Sequence, residues 1–163
     1  MGPRKTTTGE NDGLKSLSEI GLSKFLPYLV NRVASSWNMS LQSSLRKDGL
    51  NTVRMRTLAV LTVSDGISIK ELIDLAVVEQ STISRALDAM EEQGLIERIA
   101  SEADKRIRTI YITDKGRKVF EDFWPSMFNK YQHLMNGVSE EEQDALMGTL
   151  NKILDNLDEP SGS

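Results

Sequence analysis

The chain has 163 residues, of which 39% are hydrophobic and 27% charged, the proportions of a globular protein with room for one domain or two small lobes. It contains no cysteine and a single histidine, His133. Disulfides, thiolate zinc sites and thiol nucleophiles are therefore excluded, and a histidine-based metal site or a Ser-His-Asp triad lacks its parts. No run approaches the roughly 18 apolar residues of a membrane span, and no apolar signal core opens the sequence. Met1-Gly2-Pro3-Arg4-Lys5-Thr6 fits the loose myristoylation pattern, but the stretch to Gly13 reads as a polar arm. These features describe a cytoplasmic protein that is not an enzyme and has no cofactor, no metal and no membrane partner.

The net charge of −4 conceals an asymmetry. Over 105–118, Lys105, Arg106, Arg108, Lys115, Arg117 and Lys118 face only Asp114, a surplus of five positive charges. Over 138–160, seven acidic residues stand against Lys152 alone, a surplus of six negative charges. The basic middle is where an anionic partner would dock.

In chain order, Phe25, Leu26, Leu29, Val30, Val33, Trp37, Leu41 and Leu45 recur at helical steps, with Pro27 suited to a first turn. Asp48-Gly49 ends that helix, and Asn51 caps a second that runs to Ser64-Asp65-Gly66. Ser68-Ile69-Lys70-Glu71 has capping-box spacing and opens a short helix to Ala76. A further helix is predicted over 79–93, with Ile83, Leu87 and Met90 on one face and Gly94 as its stop. Two alternating runs, 95–99 and 107–112, flank a charged loop and predict a β-hairpin. Thr113 or Asp114 then caps a long helix to about Asn136, bent at Pro125. Ser139-Glu140-Glu141-Glu142 opens a last helix to Leu157.

Two compact helices joined by Val77-Val78 make a helix-turn-helix, and the second opens with Glu79-Gln80-Ser81-Thr82-Ile83-Ser84-Arg85. Short hydroxyls fit close to a DNA backbone, and an arginine can fork onto guanine. Ser81, Thr82 and Ser84 taken alone fit a plain solvent face equally well. The basic hairpin that follows, able to reach an adjacent groove, tips the reading towards DNA.

The segment from Ser81-Thr82-Ile83-Ser84-Arg85 through Gly94-Leu95-Ile96-Glu97-Arg98 resembles the recognition helix of the MarR (multiple antibiotic resistance regulator) transcription factors. Asp104-Lys105-Arg106, then Ile110-Tyr111-Ile112-Thr113-Asp114-Lys115-Gly116, is similar to that family's wing signature. Leu50 to Leu58 matches its helix opening, with Met55 where Trp is common. Ala76-Val77 stands where Leu-Gly is usual at the turn, and Glu79 where a better cap is usual.

The resemblance covers about 25–157. It implies a mostly α fold with a small β-hairpin wing: a winged helix-turn-helix lobe over 50–113 and a helical dimerisation region over 25–48 and 114–158. A flexible arm (1–24) and a disordered tail (159–163) complete the chain. It further implies a homodimer that reads a palindromic operator in double-stranded DNA, acting as a ligand-responsive repressor. Dimerisation has support of its own, because helices with such long apolar faces need a partner.

In this scheme Ser81, Thr82, Ser84 and Arg85 are the recognition set. Arg106 enters the minor groove, Lys105 at the loop tip is a weaker DNA-binding candidate, and Asp104 orients Arg106 or a neighbouring cation. Arg98 and Arg108 touch phosphate or pair with Glu97 and Glu102, and Arg56 braces the second helix. A small aromatic or anionic effector would draw on Tyr28, Arg32, Trp37, Met55 and Trp124, although rings and Met at helical spacing also describe ordinary core. The competing function is a winged-helix protein-interaction or architectural module without specific DNA reading.

Overall fold

The computed structural model describes residues 14–47, 49–100 and 108–158, which divide into two compact units, 1–52 and 53–163. In the first unit, Ser16 caps a single helical turn, α1 (Leu17–Ile20), inside the stretch read as an arm. The Ser16 amide donates to Glu19 Oε2 at 2.7 Å, and the Glu19 amide donates back to Ser16 Oγ at 3.4 Å. Such reciprocal capping lets even a four-residue turn close. A 3-10 turn at Leu22–Lys24 leads into α2 (Leu26–Lys47), with Pro27 in its first turn. Leu41 and Leu45 are buried near the end of α2, whereas Phe25, Leu26, Leu29, Val30 and Val33 remain exposed.

The second unit holds α3 (Thr52–Val63), β1 (Ile67–Ser68), α4 (Ile69–Ala76), α5 (Gln80–Glu92), β2 (Ile96–Ala100), β3 (Arg108–Ile112), α6 (Asp114–Leu134) and α7 (Glu140–Asp158). The expected hairpin is present, and β1 adds a third antiparallel strand in the order β1-β3-β2. Ile67 sits opposite Ile110, and Ile96 opposite Ile112. A strand of two residues is too short to show alternation, so sequence reading passes over it.

The core of this unit is built where the helical and strand periods point: Met55, Leu58 and Leu61 of α3, Leu72 and Ala76 of α4, Ile83, Leu87 and Met90 of α5, and Ile96, Ile110 and Ile112 of the sheet. α6 adds Phe120 and Phe123 and continues through Pro125 without ending. Among the described residues, no helix is long and apolar enough to cross a membrane.

Candidate nucleic-acid interface

The interface begins at α4, whose start is fixed by Ser68. The Ser68 amide donates to Glu71 Oε2 at 2.8 Å, while the Glu71 amide donates to Ser68 Oγ at 3.3 Å. The Ser68 hydroxyl also donates to Glu71 Oε2 at 2.7 Å, and this bond first, then that of the Ser68 amide, holds the Glu71 carboxyl below its ordinary pKa. α4 ends at Val77, which adopts the left-handed conformation (φ 52°, ψ 55°) and donates its N–H to the Ile73 carbonyl. A β-branched residue at positive φ is a genuine outlier. It falls at the Ala-Val pair that replaces Leu-Gly. From α3, Arg56 Nη1 donates to the Val77 carbonyl at 3.1 Å and reaches the Ala76 carbonyl at 3.5 Å. The brace expected of Arg56 is thus directed at the turn.

α5 starts at Gln80, three residues after Val77. Glu79 occupies the N-cap without making a side-chain capping bond. Ile83, Leu87 and Met90 are buried, and Ser81, Thr82, Ser84 and Arg85 are all exposed. Ser81, Ser84, Arg85 and Asp88 are spaced by three, four and seven, so they share one outward face. Ser81, Thr82, Ser84 and Arg85 are thus all exposed in the first two turns of α5, with Ser81, Ser84 and Arg85 on one face.

The sheet carries a further cation towards this helix. Arg98 lies opposite Ile110 in the β2–β3 register, on the inner face, and its side chain is 19% exposed. Its Nη2 donates to Asp88 Oδ1 at 2.7 Å, and Nε donates to Glu91 Oε2 at 2.9 Å. The expected pairing with Glu97 does not occur, because neighbours on a strand point to opposite faces. Hydrogen bonding from Arg98 holds the Glu91 carboxyl below its ordinary pKa, and the same bond raises that of the guanidinium. The signal available in the sequence was the i, i+3 pair Asp88 and Glu91, two carboxylates on adjacent helical positions awaiting a cation.

Asp104, Lys105 and Arg106 of the wing lie outside the described residues, as does Glu102. The cations after the wing serve the fold: Lys115 Nζ donates to the Gln93 carbonyl at 2.8 Å, Arg117 pairs with Asp65 at 3.6 Å, and Lys118 pairs with Asp122 at 3.2 Å. Asp65 Oδ1 also accepts from the Ile112 amide at 2.9 Å, tying the end of α3 to β3.

Of the residues considered for an effector, Tyr28 and Arg32 are exposed and Trp37 is half-buried, all on α2 in the first unit. In the second unit Met55 is 3% exposed, the placement of a packing residue. Trp124 is 45% exposed and stands between Phe120 and Phe128, with ring centroids 5.7 Å away on each side. Among the described residues, no group of three potential metal ligands occurs.

A model described as MarR family matches residues 48–107. A transcriptional regulator of that family from Silicibacter pomeroyi, known as a crystal structure, is 38% identical, covering 91% of this chain and 100% of its own with a TM-score of 0.83. This chain belongs to the MarR family. The HTH-type transcriptional repressor IacR of Pseudomonas putida is 27% identical over 131 residues, 80% of this chain and 78% of that protein. MepR of S. aureus, solved as a DNA complex, is 23% identical with a TM-score of 0.70 over 83% of this chain and 98% of its own, a likeness of fold.

As a MarR-family protein the chain is a DNA-binding transcriptional regulator rather than an enzyme. Its mostly helical architecture with a small antiparallel sheet is the family's winged helix. Within it, α4, the Val77 turn and α5 form the helix-turn-helix of this MarR-family regulator.

Proposed function

We propose that the protein is a homodimeric, ligand-responsive repressor that binds a palindromic operator in double-stranded DNA. The observation that carries this reading is the start of α5, where Ser81, Thr82, Ser84 and Arg85 are exposed together. In this reading 50–113 is the DNA-binding lobe, Lys105 and Arg106 act from the wing, and Asp104 orients Arg106. The segments 25–48 and 114–158 form the dimerisation region. Dimerisation is supported by the large apolar side chains left exposed on α2, α6 and α7, among them Val33, Phe128, Leu146 and Leu154. Repression is supported by the name of the IacR relative, and DNA binding by membership of the MarR family.

For a small aromatic or anionic effector, Arg32 offers a cation, while Tyr28 and Trp124 offer exposed rings; Met55 belongs to the core. A cytoplasmic location completes the proposal.

The test is duplex selection from a random-sequence library, followed by anisotropy titration over a salt series. An inverted repeat should emerge. A dimer neutralising about 6 to 10 phosphates should lose roughly 10³- to 10⁵-fold in affinity between about 50 and 200 mM salt. Equal affinity for selected and scrambled duplexes at every salt concentration would overturn the proposal.

A further inference from the structure

We infer that Arg56 is a positioning residue for DNA recognition: its guanidinium latches the carbonyl of Val77 and holds the helix-turn-helix corner in the left-handed geometry that aims α5. The inference rests on the DNA-binding reading and extends it to a residue placed in neither the recognition helix nor the wing.

The corner is strained. Val77 has φ 52° and ψ 55°, a conformation that suits glycine and that a β-branched residue avoids. Val77 is 77% exposed, so little packing holds it there. Locally, the amides of Val77 and Val78 both turn back to the Ile73 carbonyl, the latter at 3.4 Å. The carbonyl of Val77 is bonded from outside this segment: Arg56 Nη1 donates to it at 3.1 Å.

The anchor is firm. Arg56 projects from α3 between Met55 and Thr57, both buried, with Leu58 fully buried beside them. The contact therefore joins the rigid core of the unit to a corner 21 residues further along the chain. Only Val78 separates this corner from Glu79, the N-cap of α5. A rotation at Val77 thus passes almost directly to the axis of the helix that carries Ser81, Thr82, Ser84 and Arg85. Relaxation of Val77 towards right-handed φ would add a residue to α4 and swing α5 away from its present direction. Arg56 opposes that relaxation without touching DNA.

The strain and the latch are consequently two halves of one device, and they can be separated. Glycine accepts the left-handed corner without penalty, so Val77→Gly should make Arg56 dispensable. Four proteins suffice: the parent, Arg56→Ala, Val77→Gly and the double variant. Each is titrated against a duplex selected by the parent and a scrambled duplex of the same length, at a temperature well below every variant's melting point.

Arg56→Ala should bind the selected duplex roughly tenfold more weakly, while its affinity for the scrambled duplex changes little. Val77→Gly should match the parent within about twofold, and the double variant should recover most of the loss. Hydrogen exchange at the Val77 and Val78 amides should be faster in Arg56→Ala alone. A purely structural role would lower the melting temperature of Arg56→Ala and leave the ratio of selected to scrambled affinity unmoved. If Arg56→Ala does not fold, Arg56→Gln takes its place with the same expected pattern.

Parent-like discrimination by the Arg56 variant, or failure of Val77→Gly to restore it, overturns the latch. A parent that does not prefer the selected duplex overturns the functional reading, and the latch with it.

Discussion

Gly116 lies so close to Leu95 that a Cβ at its position would stand 2.1 Å from the Leu95 carbonyl oxygen. The approach is made by the first turn of α6. Thr113 donates its amide to that same carbonyl at 3.1 Å and its hydroxyl to the Gly94 carbonyl at 2.7 Å. The Gly116 amide in turn donates to Thr113 Oγ1 at 3.0 Å. The start of α6 is thereby docked on the turn that leaves α5. Glycine is required here for space, not for conformation, since its φ lies in the ordinary range. Gly116→Ala should therefore destabilise the protein by about 1–3 kcal/mol, the usual cost of overpacking, read as a lower urea midpoint. An unchanged or raised midpoint would mean that α6 shifts freely.

Much of this arrangement is legible in the sequence because local chemistry and tertiary packing agree. Ser68 and Glu71 announce the start of α4, and the alternation around Ile110 and Ile112 announces β3. What escapes depends on contacts between residues far apart in the chain. β1 is defined only by its pairing with Thr109 and Ile110 of β3, and Arg98 finds its carboxylates seven and ten positions back, on a helix whose phase must be known first. The Ala-Val pair in place of Leu-Gly marks the turn in the sequence, but neither its left-handed geometry nor the arginine that meets it is legible there. The exposure of Ser81, Ser84 and Arg85 is legible because helical spacing alone puts them on one side of α5, away from Ile83 and Leu87.

The Arg98 cluster carries a pH signature. Glu91 has its pKa depressed below 4.5 in the folded state by hydrogen bonding from Arg98. The unfolded chain thus holds this proton more tightly. The stabilisation is present in full above the unfolded value and is lost as pH falls through the folded one. Glu91→Gln should lower the urea midpoint near neutral pH, and its gap from the parent should close on acidification through that range. Because Glu91 is partly exposed, the neutral-pH gap should be small, about 1 kcal/mol or less. A gap that stays constant from neutral to acid pH would assign the effect to shape rather than charge.

Thr57 is fully buried in α3, and its hydroxyl has no hydrogen-bond partner among the described residues. Desolvating a hydroxyl without compensation costs roughly 1–3 kcal/mol. Valine has the same shape without the polar atom. Thr57→Val should raise the stability by about 1 kcal/mol and leave operator affinity unchanged. A loss of stability would show that the hydroxyl is satisfied after all.

The exposed apolar residues of α7 separate association from folding. Leu154 is 57% exposed, so a charge there disturbs little inside one chain. In a dimer joined through α7 the same charge would be buried without a partner. Leu154→Glu should therefore sediment as a monomer at concentrations where the parent is a dimer, with its helical circular dichroism retained. A parent that sediments as a stable monomer would refute the dimer directly.

The wing offers a prediction whose sign separates two accounts of one carboxylate. Arg106→Ala should weaken operator binding by roughly 1 to 3 kcal/mol per half-site with the fold intact, since alanine replaces neither the charge nor the hydrogen bonds of a guanidinium in a narrow groove. Arg106→Lys should recover only part, because a compact, strongly hydrated ammonium does not reproduce the planar fork. Asp104 stands two residues before this cation. By simple electrostatics, removing a negative charge near phosphates strengthens binding. If Asp104 instead fixes the orientation of Arg106 through a charge-assisted hydrogen bond, Asp104→Ala must weaken it. Anisotropy titrations of the three variants against one selected duplex decide between the two. We expect Asp104→Ala to bind more weakly than the parent; tighter binding would reduce the carboxylate to a repulsive bystander.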